Sequence, residues 1–143
     1  MHKSLCLLLP LLFASACTRP AASSWDAVVD AGYRGKPGAK LAGVPCYPSL
    51  SQALAAAPPG ETPWRIFMRK GRYHEKVTID RANLHLRGES REEAILSFDD
   101  CSGTPAPGGA TLGTRGSATL TIRAPGFSAE HITIENCFDY PAN

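Results

Sequence analysis

Four short triplets, Val77-Thr78-Ile79, Leu84-His85-Leu86, Leu120-Thr121-Ile122 and Ile132-Thr133-Ile134, each place a polar residue between two apolar ones. Side chains of an extended chain alternate between faces, so each triplet sends its outer residues to one side and its middle residue to the other. Ala27-Val28-Val29, Ile66-Phe67-Met68 and Ile95-Leu96-Ser97-Phe98 are further strand candidates, and Gly71, Gly88, Gly108-Gly109, Gly116 and Pro125-Gly126 punctuate the series. Strands this short with one apolar face suit a sandwich, a barrel or a parallel solenoid. No Asn-Gly or Asp-Gly pair lies between them to signal tight hairpins, which favours the solenoid. The triplets begin at 77, 84, 120 and 132 and share no fixed spacing, so the pattern alone leaves a parallel β-helix and a β-sandwich both open.

One helix is signposted. Ser49-x-x-Gln52 is a capping-box pattern, and Leu50, Ala53, Leu54 and Ala57 then fall on one stripe before Pro58-Pro59-Gly60 stops the run. An amphipathic helix ahead of the first strands suits a solenoid, whose stacked core needs a cover at its open end. The preceding stretch, Asp30 to Pro45, is glycine-rich and reads as a loop. It is no phosphate loop, because Gly35-Lys36 is followed by Pro37 where a Ser or Thr would be required.

A chain of 143 residues has room for one modest domain. Its net charge of +2 and scattered basic residues give no reason to expect nucleic acid as a partner. Lys3, the apolar run Leu5 to Phe13 and the small residues Ala14-Ser15-Ala16 form an export signal too short to span a bilayer, where about 20 residues are needed. Ala14-Ser15-Ala16-Cys17 resembles a bacterial lipoprotein lipobox, which implies acylation of Cys17 and, with Thr18 next, an outer-membrane destination. Ala14 stands where that pattern usually has Leu, so ordinary cleavage to a periplasmic or secreted product is the alternative. The expected division is a signal over 1–16, a flexible tether over 17–24 and a β-domain over 25–143. An oxidising compartment permits one disulfide among Cys46, Cys101 and Cys137, with the pairing open. No Cys or His spacing suggests a metal site, and no cofactor is expected.

More specific motifs run through the β-domain in order. Lys70-Gly71-Arg72-Tyr73-His74-Glu75-Lys76-Val77 resembles the Gly-x-Tyr-x-Glu-x-Val signature of pectinesterases, which remove methyl groups from pectin. Asn83-Leu84-His85-Leu86-Arg87-Gly88-Glu89, Thr114-Arg115-Gly116-Ser117-Ala118-Thr119, and Gly126-Phe127 through Ile132-Thr133-Ile134-Glu135-Asn136 resemble further segments of that family. The similarity runs from about Val28 to Asn136, and the Gly-rich loop with the lipobox looks most like the family's Gram-negative lipoprotein branch. It implies an all-β fold, a right-handed parallel β-helix with a short N-terminal capping helix, in which Thr78, His85, Thr121 and Thr133 face outward.

The resemblance also implies a chemistry. In the family one Asp attacks the methyl ester of a galacturonate unit, a second Asp serves as acid and then base, two Gln amides hold the oxyanion, and an Arg orients the nucleophile. The family carries these groups after the segment matched by Ile132 to Asn136. The expectation is therefore that this chain is the truncated N-terminal part of a pectinesterase, with no catalytic residue of its own and with pectin or polygalacturonate as the full-length protein's partner. Gln52 is the only glutamine, and one helix-capping amide cannot build a two-amide oxyanion hole. Thr114 matches a family position that contacts substrate, and a hydroxyl there can hydrogen-bond a sugar oxygen.

Other candidates have plainer readings. Asp99-Asp100 suggests a turn rather than a carboxylate dyad, and Ser90 a turn or cap. His74, His85 and His131 read as surface residues, and Glu75 and Tyr73 as structural. The alternatives to a pectinesterase are another ester or thioester hydrolase on the same scaffold, or a non-catalytic polysaccharide-binding β-helix lipoprotein.

Overall fold

The computed structural model describes residues 25–140, so the signal, the tether and Cys17 lie outside the described residues. The chain opens with β1 (Ala27–Val29), β2 (Lys40–Leu41), β3 (Val44–Tyr47) and helix α1 (Leu50–Ala55). It then winds through β4 (Trp64–Met68), β5 (Gly71–His74) and β6 (Val77–Ile79) as one coil, and through β7 (Leu84–Gly88), β8 (Ala94–Phe98) and β9 (Leu120–Ile122) as the next. The short helix α2 (Gly113–Gly116) interrupts the second coil, and β10 (Ser128–Glu130) and β11 (Thr133–Asn136) continue the winding.

Successive coils pair in parallel and build three sheets, with strand orders β10-β7-β4-β1-β3-β2, β11-β8-β5 and β6-β9. This is a parallel β-helix, the fold that the resemblance implies. The triplets belong to different sheets, which is why their starts share no period. Val77 registers with Leu120 in the smallest sheet, whereas β7 and β11 belong to the other two.

Register turns the alternation into ladders. Ala27, Ile66, Leu86 and Ala129 follow one another across the coils. The first three are fully buried. Each large apolar side chain removed from water contributes about 1.5–3 kcal/mol, and the stack buries each against the one above. Tyr73, Leu96 and Ile134 make a second ladder, and Ile79 and Ile122 a third. Burial falls off along both, from 3% exposed at Tyr73 and 0% at Ile79 to 42% at Ile134 and 48% at Ile122.

Helix α1 starts at Ser49 as expected, with the Ser49 hydroxyl accepting from the Gln52 N–H at 3.2 Å, which is one half of the capping box. Its Leu50 and Ala53 are buried, and it packs on β1, β3 and β6, covering that end of the core. Gly88 is fixed by close approach. A Cβ there would sit 2.0 Å from the His131 carbonyl oxygen, so only glycine lets the next coil pass.

Three expectations need correction. The stretch Asp30 to Pro45 is more than a loop, because β2 within it pairs antiparallel with β3. The two residues joining them, Ala42 at φ 49° and Gly43 at φ 87°, form the left-handed pair a tight hairpin needs. Strands β5 and β10 were not foreseen: Gly71-Arg72-Tyr73-His74 buries only Tyr73, and Ser128-Ala129-Glu130 carries no large apolar residue. The last triplet is also shifted, with β11 beginning at Thr133 rather than Ile132.

Open strand edges beside exposed apolar ladder ends invite pairing with another chain. The 143-residue chain is accordingly expected to sediment as oligomers at micromolar concentration. A sharp monomer boundary with cooperative melting would contradict this.

Candidate functional site

The outward face of the β6–β9 sheet carries Thr78 beside its register partner Thr121. A hollow of about 680 Å³ opens on the β6 side, lined by Ser51, Leu54, Thr78, Asp80 and Arg81 among others. A second hollow of about 510 Å³ lies against β9, between Arg115, Ala118, Thr121 and Arg123. Thr114 precedes Arg115 on α2 and is exposed, but it is not among the residues that line this hollow.

The excursion from β8 to β9 positions α2. Within it the Leu112 N–H donates to the Thr104 carbonyl and the Gly113 N–H to the Ser102 carbonyl, each at 2.9 Å. The Asn136 amide donates to the Asp100 carbonyl at 2.7 Å and ties the excursion's start to the following coil. Two guanidinium groups and the Thr121 hydroxyl thus line one shallow hollow. That set can pair with carboxylates and hydrogen-bond sugar oxygens, but it contains no activated nucleophile.

Arg81 shapes the first hollow from within. Its guanidinium donates to the carbonyls of Pro58, Gly60 and Thr62, and lies 5.7 Å from the Trp64 ring centroid. It pins the turn that follows α1 and is occupied in doing so. Glu75 is structural, as expected. Its carboxylate accepts from the backbone N–H groups of Leu50 and Ser51 at 2.8 and 2.9 Å, which fastens the start of α1 to the first full coil.

Tyr73 is the buried member of the same signature. Its hydroxyl donates to the Arg69 carbonyl at 2.8 Å, with the Val29 carbonyl at 3.1 Å, and accepts from the Ala31 N–H at 3.3 Å. Burial, reinforced by the negative charges of Asp30, Glu75 and Glu89, pushes its phenol up to about 12.

The remaining candidates stand apart from one another. Asp99 faces His74 at 3.3 Å while Asp100 pairs with Lys76 at 2.6 Å, so the two carboxylates form no dyad. The Ser90 hydroxyl accepts from the Glu92 N–H and its carbonyl from the Ala94 N–H, as in a turn. His74 stacks on Phe98 with ring centroids 4.9 Å apart, and His131 is exposed. No group of three or more His, Cys, Asp or Glu among the described residues is placed to hold a metal.

One constellation escaped the sequence reading. His85 lies 2.8 Å from the Ser128 hydroxyl and 3.3 Å from Glu130, and Glu130 also accepts from Arg87 at 3.0 Å. The register makes this order: Arg65, His85 and Ser128 stack in one row, and Phe67, Arg87 and Glu130 in the next. Trp25 lies against both His85 and Phe67, with centroids 6.0 and 5.4 Å away. The order resembles a hydrolytic triad, but it lies on an outward sheet face away from both hollows. Strand N–H groups point along the sheet and not out of its face, so the strand backbone offers no oxyanion donors there. It is an outward polar ladder. Only knowledge of the register would have joined positions 85, 128 and 130.

No protein-family model matches the chain. It is 40% identical over 134 residues to Pectinesterase A of Dickeya dadantii (strain 3937), covering 93% of this chain and 34% of that protein. It is 33% identical over 93 residues to Probable pectinesterase 56 of Arabidopsis thaliana, covering 63% and 30%. Among solved structures, pectin methylesterase PemA from Erwinia chrysanthemi superposes with a TM-score of 0.73 at 41% identity, over 85% of this chain and 33% of that one. A pectin methylesterase in complex with hexasaccharide VII gives a TM-score of 0.72 at 40% identity, over the same shares. The chain thus spans about a third of the length of the relatives it matches.

The Tyr73 phenol carries a pH dependence. Below about pH 10, the ordinary tyrosine value, it is neutral in both folded and unfolded chains. Between there and about 12 the unfolded chain loses the proton while the folded chain keeps it, so stability falls as pH rises. The urea midpoint is expected to drop between about pH 10 and 12, and to drop less in Tyr73→Phe. Parallel curves for the two proteins would refute that assignment.

Proposed function

Because the chain belongs to the pectinesterase family, we propose that it forms the first coils of a pectinesterase acting on the methyl esters of pectin galacturonate. The observation that carries this reading is the 40% identity over 134 residues to a pectinesterase, in a chain that winds as that family's solved structures do. The hexasaccharide-bound relative supports an oligosaccharide as the ligand class. In this reading the hollow beside β9 offers Arg115 and Arg123 to uronate carboxylates, and Thr114 donates or accepts at a sugar oxygen.

The chemical step needs groups beyond these residues. The family's mechanism draws on two Gln amides, and this sequence has only Gln52, whose backbone N–H is bound to the Ser49 hydroxyl at the start of α1. We propose that the 143-residue chain by itself turns over no ester. We also propose export by residues 1–16 and acylation at Cys17, which holds the protein at the outer membrane with 17–24 as tether. Labelled fatty acid incorporated into the wild type and absent from Cys17→Ser would support the anchor; equal labelling would refute it.

Methanol release from highly methylated pectin tests the main reading. None is expected from the isolated chain, and release is expected from a longer product in which these coils are joined to the remaining pectinesterase coils. In that longer enzyme Thr114→Val should raise KM about 2- to 10-fold with kcat little changed, the loss of one neutral hydrogen bond in substrate binding. An unchanged KM would remove Thr114 from the site. A longer product that is folded and releases no methanol would overturn the pectinesterase assignment.

A further inference from the structure

Cysteines 101 and 137 stand on neighbouring strands of the same sheet or their direct extensions. Asn136 registers with Phe98, and the Cys137 N–H donates to the Phe98 carbonyl at 2.9 Å, so the β8–β11 pairing continues one residue beyond the strands. The Asn136 side chain then reaches the Asp100 carbonyl at 2.7 Å. Each cysteine is therefore the chain neighbour of one partner in a single hydrogen bond.

The same register puts Cys137 opposite Asp99. Cys101 follows two positions later along the chain, past the end of β8. Parallel strands lie about 4.8 Å apart, and bonded cysteines have Cα atoms about 4.4–6.8 Å apart. Cys101 lies beyond the end of β8, at the start of the excursion to β9, so closing the bond draws that stretch of backbone toward Cys137.

In the structure both are thiols, Cys137 exposed and Cys101 half-buried. The Cys101 sulfur accepts a weak 3.6 Å contact from the Thr104 hydroxyl, which also accepts from the Cys101 N–H at 2.9 Å, and closing the bond gives up the sulfur contact. Cys46 belongs elsewhere. It is buried in β3, in a different sheet, and burial together with the nearby Asp30 raises its thiol above the ordinary value.

We propose that Cys101 and Cys137 are a disulfide pair, closed when the protein meets a dithiol-oxidising disulfide in the compartment to which it is exported. The Cys101 or Cys137 thiolate attacks the oxidant's disulfide and forms a mixed disulfide with release of one oxidant thiol. The second cysteine then displaces the other oxidant sulfur. Two protons and two electrons leave the pair, and the oxidant becomes a dithiol. The bond ties the start of the excursion that carries α2, Thr114 and Arg115 to β11. It limits that segment's motion whether or not Thr114 touches substrate.

The test uses the full chain, incubated folded with oxidised glutathione and then alkylated. Loss of about 2 Da is expected from the two departing hydrogens. The tryptic peptide between Arg91 and Arg115 should be found joined to the one after Arg123. The crosslink should persist in Cys46→Ser, vanish in Cys101→Ser and Cys137→Ser, and make trypsin cleavage at Arg115 slower than in the reduced protein. Trapping in the wild type needs no variant to fold. Cys101 and Cys137 both recovered alkylated or as separate glutathione adducts, or either joined to another cysteine, would overturn the pairing.

Discussion

The parallel pairing of β4 with β7 holds the molecule together. From Trp64 opposite Leu84 to Met68 opposite Gly88, five successive residues meet in register. This pairing lays Ile66 on Leu86 inside and Arg65 beside His85 outside. A slip of one residue would turn every inward side chain to water. The hydrophobic ladder therefore fixes the register, and the register fixes which outward groups become neighbours. Gly88 is the steric counterpart of that constraint, since the His131 carbonyl of the next coil passes where its side chain would be.

How much of this was legible depended on whether the information was local. The β-character of Ala27 to Val29, Ile66 to Met68, Val77 to Ile79, Leu84 to Leu86 and Ile95 to Phe98 could be read because each segment advertises its own buried face. The start of α1 could be read because a cap is a contact three residues long. Strand β10 could not, since Ser128, Ala129 and Glu130 are held by a neighbouring coil and bury little of their own. The β2–β3 hairpin was hidden for a different reason. Its turn begins with Ala42 in a left-handed conformation, which alanine seldom adopts and does not announce. The choice between helix and sandwich needed the ordered family motifs, because an excursion of residues 99–119 breaks the spacing of the coils.

The site followed the same division. Glu75 and Tyr73 sit together in one short signature, and both prove to be structural anchors: one ties α1 to the first full coil, the other ties the end of β1 to the start of β5. Thr114 was suggested by resemblance alone, and the hollow formed by its chain neighbour Arg115 with Thr121 and Arg123 exists only once β9 is paired with β6. The row of His85, Ser128 and Glu130 shows the opposite hazard. Register alone can assemble residues into a familiar order on a face away from both described hollows.

If the β4–β7 ladder is the organising constraint, protection of backbone amides should grade outward from it. Native-state hydrogen exchange measures this directly, residue by residue. The slowest amides are expected in β4 and β7, with faster exchange in β9, β10 and β11, where Ile122 and Ile134 lie open to water. Protection highest in β10 and β11, or uniformly weak across β4 and β7, would contradict the account.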